Sequence, residues 1–253
     1  MPWYEVIALL GAGMAAGTIN TIVGSGTLIT FPTLLFFGFP PLVANVSNTV
    51  GLVAGGLTGI YGYRGELAGQ GGTLGRLVPV SLAGAVTGAI LLFRLPESVF
   101  TAIVPVLIGA SLLLVLFGPR LQVWAAARHP DHDSAGRRVS MTVGVFAAGV
   151  YGGYFGAAQG ILLVGIMSIL MTISLQRVNA LKNVLSTVVN AASALTFMLV
   201  AWERINWQVA ALIAVGALAG GYVGARVGRR LSPVLLRGLI VVVGVLAIAK
   251  MVA

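Results

Sequence analysis

The chain has 253 residues, of which 58% are hydrophobic and 8% charged, with 15 Lys and Arg against 6 Asp and Glu for a net charge of +9. A soluble domain carries about 25% charged residues. Six acids and fifteen bases cannot cover a water-facing surface, which excludes a soluble enzyme and a disordered chain. The bases fall in short gaps between apolar runs rather than in a stripe, which excludes nucleic acid as a partner. No cysteine is present, so disulfides, thiolate metal sites and cysteine nucleophiles are absent too. The composition is that of an integral membrane protein whose surroundings are lipid.

A spanning helix needs about 20 mostly apolar residues. In chain order the sequence offers eight long runs, about 3–22, 43–63, 74–94, 98–117, 139–156, 183–201, 206–225 and 234–252. The first begins without a basic leader, so it reads as a retained helix with Trp3 and Tyr4 at the interface. Two shorter apolar stretches interrupt this series. Thr27–Phe37 lies between Gly24-Ser25-Gly26 and Gly38-Phe39-Pro40-Pro41, and Ile161–Ile173 follows Gly156-Ala157-Ala158-Gln159-Gly160. The fold class is therefore an all-α integral membrane protein with eight long helices and two short, interrupted or re-entrant ones. Long unbroken runs do not suit a β-barrel.

The bases decide what the short stretches do. If each merely continues the helix before it, the bases divide evenly between the two sides. If each returns the chain to the side it came from, one side collects Arg64, Arg76, Arg120, Arg128, Arg137, Arg138, Arg177, Lys182, Arg226, Arg229, Arg230 and Arg237. The other keeps Arg94, Arg204 and Lys250. The positive-inside rule favours the second arrangement. It puts both termini outside, in the periplasm of a bacterial inner membrane, and a linker loop at 118–138 in the cytoplasm. That loop separates a first transmembrane repeat, 1–117, from a second, 139–253.

The two halves carry the same features in the same order. Gly24 and Gly156 are 132 positions apart, and Asn48 and Asn183 are 135 apart. In the returning arrangement the halves have opposite orientations. Inverted repeats with interrupted helices are a recurring transporter architecture, with substrate held where the breaks meet.

The run from Ala16-Gly17 through Asn20 and Gly24-Ser25-Gly26-Thr27-Leu28 to Pro32, Pro40-Pro41 and Asn48 resembles the first signature of the sulfite exporter TauE/SafE family. The stretch Gly149-Val150-Tyr151-Gly152-Gly153-Tyr154-Phe155-Gly156, with Lys182-Asn183, is similar to its second-half counterpart. The likeness covers about residues 5–250. It departs from the family pattern at Ser25, Ala157 and Ala158 in the breaks and at Val46-Ser47 in the first polar motif. The resemblance implies transport of small sulfur-containing anions, such as sulfite or organosulfonates.

The candidate substrate-binding residues gather at the breaks and at the polar patches after them. They are Asn20, Gly24, Ser25, Gly26, Thr27, Ser47, Asn48, Tyr151, Gly156, Gln159, Lys182 and Asn183. Irregular backbone at membrane depth survives only where protein or a wet cavity satisfies it, and exposed N–H groups there can cradle an anion. Amides and hydroxyls add neutral donors, although they serve equally for interhelical hydrogen bonds. Lys182 reads either as an intramembrane cation for substrate or as a lysine snorkelling to the cytoplasmic interface.

The cluster His129-Pro130-Asp131-His132-Asp133 reads as a solvated loop, not a metal site, and Arg226, Arg229, Arg230 and Arg237 read as anchors to anionic lipid. Nothing suggests catalytic residues, a metal or a cofactor, and the chain does not read as an enzyme. No carboxylate lies in the middle of an apolar run, so no proton relay is visible. The expectation is a secondary transporter exporting a small anion by alternating access. The alternatives are a carrier or importer of another small solute and a non-transporting membrane scaffold. Membrane lipids are the other expected partners, and homo-oligomerisation is left open.

Overall fold

The computed structural model describes residues 1–127, 135–227 and 233–252. These form α1 (Trp3–Ile22), α2 (Thr27–Phe36), α3 (Pro41–Gly62), α4 (Gly71–Arg94), α5 (Glu97–Ala127), α6 (Ala135–Tyr154), α7 (Gln159–Leu170), α8 (Leu175–Val200), α9 (Trp207–Val227) and α10 (Pro233–Val252), with a 3₁₀ turn at Trp202–Arg204. No strand occurs among the described residues. Seven of the helices are long and apolar enough to cross a membrane by length and composition.

Three expectations change. The eighth expected span, α6, is not among those seven; Arg137 and Arg138 lie in its first turns and lower its hydropathy. The helix expected from residue 183 starts at Leu175, where the Ser174 hydroxyl accepts the Arg177 N–H at 3.4 Å. Its first two turns, including Asn179, are polar, which hid them from a hydropathy reading. Finally, α5 and α6 enter the expected 118–138 linker from both sides. The His129–Asp133 cluster, Arg229 and Arg230 lie outside the described residues.

Positive-φ residues make the two breaks. Gly24 has φ +88° and Gly156 φ +78°, with Ala158 at +59°. At each break the glycine N–H reaches five residues back, to the Ile19 carbonyl (3.1 Å) and the Tyr151 carbonyl (3.1 Å), in a tight C-terminal cap. The helices that follow, α2 and α7, have 10 and 12 residues. At 1.5 Å per residue they span about 15–18 Å, half a hydrocarbon core.

Glycine contacts fix how the long helices run. A Cβ on Gly13 would lie 2.8 Å from the Ile213 carbonyl oxygen, one on Gly17 would collide with Ala217, and one on Gly224 would meet Thr18. Numbers rise together, so α1 and α9 are parallel. Gly51 against Ala210 and Ile213, Gly55 against Ala217 and Gly62 against Ala225 make α3 parallel to α9 as well. Since α1 and α3 run the same way, α2 carries the chain back between them. Gly84 against Phe146, Gly88 against Val150 and Gly153 against Ala85 make α4 parallel to α6. The short 63–70 connection turns α4 against α3. Small residues allow this close backbone approach, and dispersion replaces the hydrophobic effect that lipid cannot supply.

The element contacts form pairs under exchange of α1–α5 with α6–α10. Packing of α1 on α9 corresponds to α6 on α4, α3 on α9 to α8 on α4, and α5 on α7 to α10 on α2, while α3–α8 and α5–α10 map onto themselves. Exposed Leu57, Leu113, Val143, Leu199 and Val242 give the outside an apolar surface suited to lipid. The ends of α3, α5 and α9 and the starts of α4, α6, α8 and α10 share one side, with Arg64, Arg76, Arg120, Arg137, Arg138, Arg177, Arg226 and Arg237. Arg94, Arg204 and Lys250 lie at the opposite side. Lys182 leaves the first set, because it is 0% exposed.

Close packing makes a specific demand at α4–α6. Gly88→Ala forces a methyl into the Val150 carbonyl and should cost about 1–3 kcal/mol. Gly109→Ala meets nothing within 4 Å and should be neutral or stabilising by up to about 1 kcal/mol. Thermal unfolding followed by size-exclusion fluorescence tests the contrast; equal melting of the two variants would contradict it.

Candidate functional site

The two breaks touch. The Gly160 N–H at the start of α7 donates to the Gly24 carbonyl oxygen at 3.0 Å. A Cβ on Gly24 would sit 2.5 Å from Gly160 Cα, besides requiring a left-handed conformation. No side chain fits between them. The N-termini of α2 and α7 therefore both lie at this junction, where the positive ends of their dipoles favour negative charge.

Lys182 completes the junction from α8. Its Cδ lies beside Gly24 and Gly160, and its ammonium donates to the carbonyl oxygens of Asn20 and Thr21, both at 2.9 Å. Those carbonyls belong to the last turn of α1 and lose their helical partners where Gly24 ends the helix. The cation thus caps the negative end of the α1 dipole. It is not a snorkelling lysine: it is fully buried on two neutral acceptors. The four described acids, Glu5, Glu66, Glu97 and Glu203, all stand at helix ends or in connections. No carboxylate among the described residues pairs with this buried nitrogen.

The second break is closed by hydroxyls. Tyr151 donates to the Ala157 carbonyl at 2.6 Å, and Ser111 of α5 lies 2.7 Å from the Tyr151 hydroxyl and 3.2 Å from the same carbonyl. Gln159 lies against Gly152, where an added Cβ would be 2.5 Å from its Oε1. Buried side-chain donors without a hydrogen-bond partner among the described residues include Ser25 Oγ and Gln159 Nε2 in the two breaks, Asn183 Nδ2 beside Lys182 in sequence and Ser186 Oγ one turn further along α8. Each can donate a hydrogen bond, and buried donors without partners call for an acceptor.

Other expected residues are engaged elsewhere. Asn48 accepts from Thr30 Oγ1 and donates to Thr27 Oγ1 at 3.3 Å, clasping α2 to α3. Ser47 accepts the Asn206 N–H at 2.8 Å and so faces the start of α9, not the junction. Asn20 contributes its carbonyl. Gly26 opens α2 against the Ala16 carbonyl, and Gly156 supplies the turn. Sequence reasoning did not name Thr21, Thr30, Ser111 or Ser186 among the candidate substrate-binding residues, and it included Gly160 only as part of the second break. Ser111 had a signal, as the hydroxyl deep in the long apolar run of α5, beyond Ser98 and Thr101 near its start. Thr21 enters through its backbone, which no side-chain pattern discloses.

Two cavities of about 550 Å³ each lie at opposite ends of α4 and α8. One, on the basic side, is lined by Arg76, Arg137 and Arg138 together with residues 170–173. The other is lined by Leu42, Glu97, Glu203 and Arg204, with Glu97 and Arg204 paired at 3.1 Å. Leu163, Val164, Met167, Val178 and Leu181 separate the first cavity from the junction, and Leu28, Phe31, Leu34 and Val46 lie on the opposite side. The junction is closed to both ends by apolar side chains. Among the described residues no group of three or more His, Cys, Asp or Glu could hold a metal.

The cap predicts a stability effect. Lys182→Met strands the Asn20 and Thr21 carbonyls, and an unpaired buried acceptor costs about 1–3 kcal/mol. The variant should melt several degrees below the parent in detergent. An unchanged Tm would mean that the ammonium does not satisfy these carbonyls.

A family model described as sulfite exporter TauE/SafE matches residues 9–251. A protein of Haemophilus influenzae named "Probable membrane transporter protein" is 29% identical over 253 residues, covering 98% of this chain and 95% of the relative. "Probable membrane transporter protein YfcA" of Escherichia coli K12 is 26% identical, covering 96% and 88%. "Probable membrane transporter protein ORF9" of a Sinorhizobium species is 28% identical, covering 97% and 91%. No solved structure matches the chain. With glycine-broken helices crossing at a buried lysine and a family match over nearly the whole sequence, the chain belongs to the sulfite exporter TauE/SafE family of membrane transporters.

Proposed function

We propose that the chain is a secondary transporter that exports a small sulfur-containing anion, sulfite or an organosulfonate, across the bacterial inner membrane by alternating access. The observation that carries this reading is the junction: a buried lysine amino group, two helix N-termini and unpartnered hydroxyl and amide donors, with no carboxylate beside them among the described residues. Such a site suits an oxyanion. Neutral donors around one cation hold it without trapping it, since a carrier must also release.

The contact pairs and opposed helix directions support reading α1–α5 and α6–α10 as inverted repeats that rock about the junction. The positive-inside rule makes the arginine-rich side cytoplasmic, with both termini periplasmic. Charge then favours export. Three arginines line the inner cavity, while two glutamates and one arginine line the outer one. An inside-negative potential assists its exit by about 2.3 kcal/mol per charge per 100 mV, so no proton relay is required.

The test is flux of labelled sulfite, thiosulfate, sulfoacetate and sulfate in oriented proteoliposomes under an imposed potential. Flux should follow the potential, and Lys182→Gln should lower it by about tenfold or more, the effect of ~1.4 kcal/mol. Transport that ignores the potential and requires a proton gradient would overturn the energetic scheme. Undiminished flux in a folded Lys182→Gln protein would overturn the site.

A further inference from the structure

One face of α8 carries polar side chains through an otherwise apolar helix. Asn183, Ser186, Asn190 and Ser193 follow the spacing i, i+3, i+7 and i+10. At 3.6 residues per turn they fall within about 80° of one another around the helix, and they climb about 15 Å along it. The stripe starts beside Lys182 in sequence and rises towards the arginine-poor side, where α8 ends at Val200. Ser193 is 0% exposed, Asn183 5% and Ser186 6%. Their Oγ and Nδ2 atoms have no hydrogen-bond partner among the described residues. Other hydroxyls on this helix turn back on its backbone: Thr187 donates to the Asn183 carbonyl at 2.7 Å and Thr196 to the Ala192 carbonyl at 2.8 Å. Ser186 and Ser193 make no such bond. Across from them, Ser81 Oγ of α4 is also buried without a partner, one turn before Ala85, which packs on Val189 and Ala192 of α8. Buried donors of this kind call for an acceptor.

The stripe ends at an aromatic pair. Phe197 lies four residues after Ser193 on the same face, fully buried, with its ring 5.5 Å from that of Phe93 of α4 and nearly perpendicular to it. Phe93 in turn lines the outer cavity with Glu97 and Arg204. We infer that this face of α8 is the outward half of the substrate route. A small oxyanion leaves the junction along Asn183, Ser186, Asn190 and Ser193 and enters the outer cavity when the Phe93–Phe197 pair parts. Each step offers neutral hydroxyl or amide donors, which can hold an anion and give it up. No charged residue occurs between Lys182 and Phe197 to trap the ion on the way. The inference rests on the transport reading, but its test reads thiol access rather than flux, so each can fail while the other stands.

The chain has no cysteine, so a single introduced thiol reports on its own surroundings. Ser186→Cys, Ser193→Cys and, away from the stripe, Ala192→Cys are placed in oriented proteoliposomes with the arginine-poor side outward, each alone and combined with Phe197→Leu. Size-exclusion profiles matching the parent select the folded variants. Sulfonatoethyl methanethiosulfonate, an impermeant anionic thiol reagent, is added outside. Thiol modification follows access, so Ser193→Cys should react roughly tenfold or more faster than Ala192→Cys, with Ser186→Cys in between. Adding Phe197→Leu, which shrinks the aromatic barrier, should speed both serine positions, and sulfoacetate should slow both. The trimethylammonium analogue of the reagent, with each rate normalised to a free thiol in solution, should react more slowly than the anion at both positions. Three results would overturn the inference. They are no modification at either serine position even with Phe197→Leu, modification of Ala192→Cys as fast as Ser193→Cys, and equal normalised rates for the anionic and cationic reagents.

Discussion

A backbone carbonyl cannot be left unpaired at membrane depth, and this fold breaks two helices there. Everything at its centre follows from how those broken ends are satisfied. The end of α1 is held by the Lys182 ammonium, and the second break by Tyr151 and Ser111. The short helices obey the same rule at their far ends. Arg137 takes the Leu170 carbonyl of α7, and Lys250 takes the Phe36 carbonyl of α2 at 2.6 Å. Cations thus stand at the negative ends of three interrupted helices, where the dipole favours them. Their placement leaves the positive ends of α2 and α7 facing each other.

Glycine performs the complementary task. At Gly24 and Gly160 the absence of a side chain lets two main chains meet. Along α1, α3 and α9, and along α4 and α6, it lets whole helices approach to carbonyl contact. The breaks and the rigid bundles around them therefore come from the same residue type used in two ways. In the bundles it stiffens by close packing, and at φ +88° and +78° it turns the chain.

Much of this was legible in the sequence because its physical causes are local. Apolar length marked the helices, glycine runs marked the breaks, and repeated spacing drew attention to Asn48, Lys182 and Asn183. The start of α8 was missed because Arg177, Asn179 and Lys182 make its opening turns polar, and a hydropathy window does not see a polar helix. Lys182 was singled out, but its partners are the carbonyls of Asn20 and Thr21, which every residue type carries. Ser47 and Asn48 sit side by side in one motif, yet Ser47 turns to Asn206 and Asn48 to α2. Neighbours in sequence on a helix face directions about 100° apart, so shared motif membership does not imply a shared site.

The hydrogen bond from Gly160 to Gly24 joins the halves through main chain only. A link built this way involves no side-chain atom. Ser25 and Gln159 stand at the two breaks with buried side-chain donors, and substituting either leaves the main-chain bond itself in place. The contact between the halves and the side chains around it can therefore vary independently.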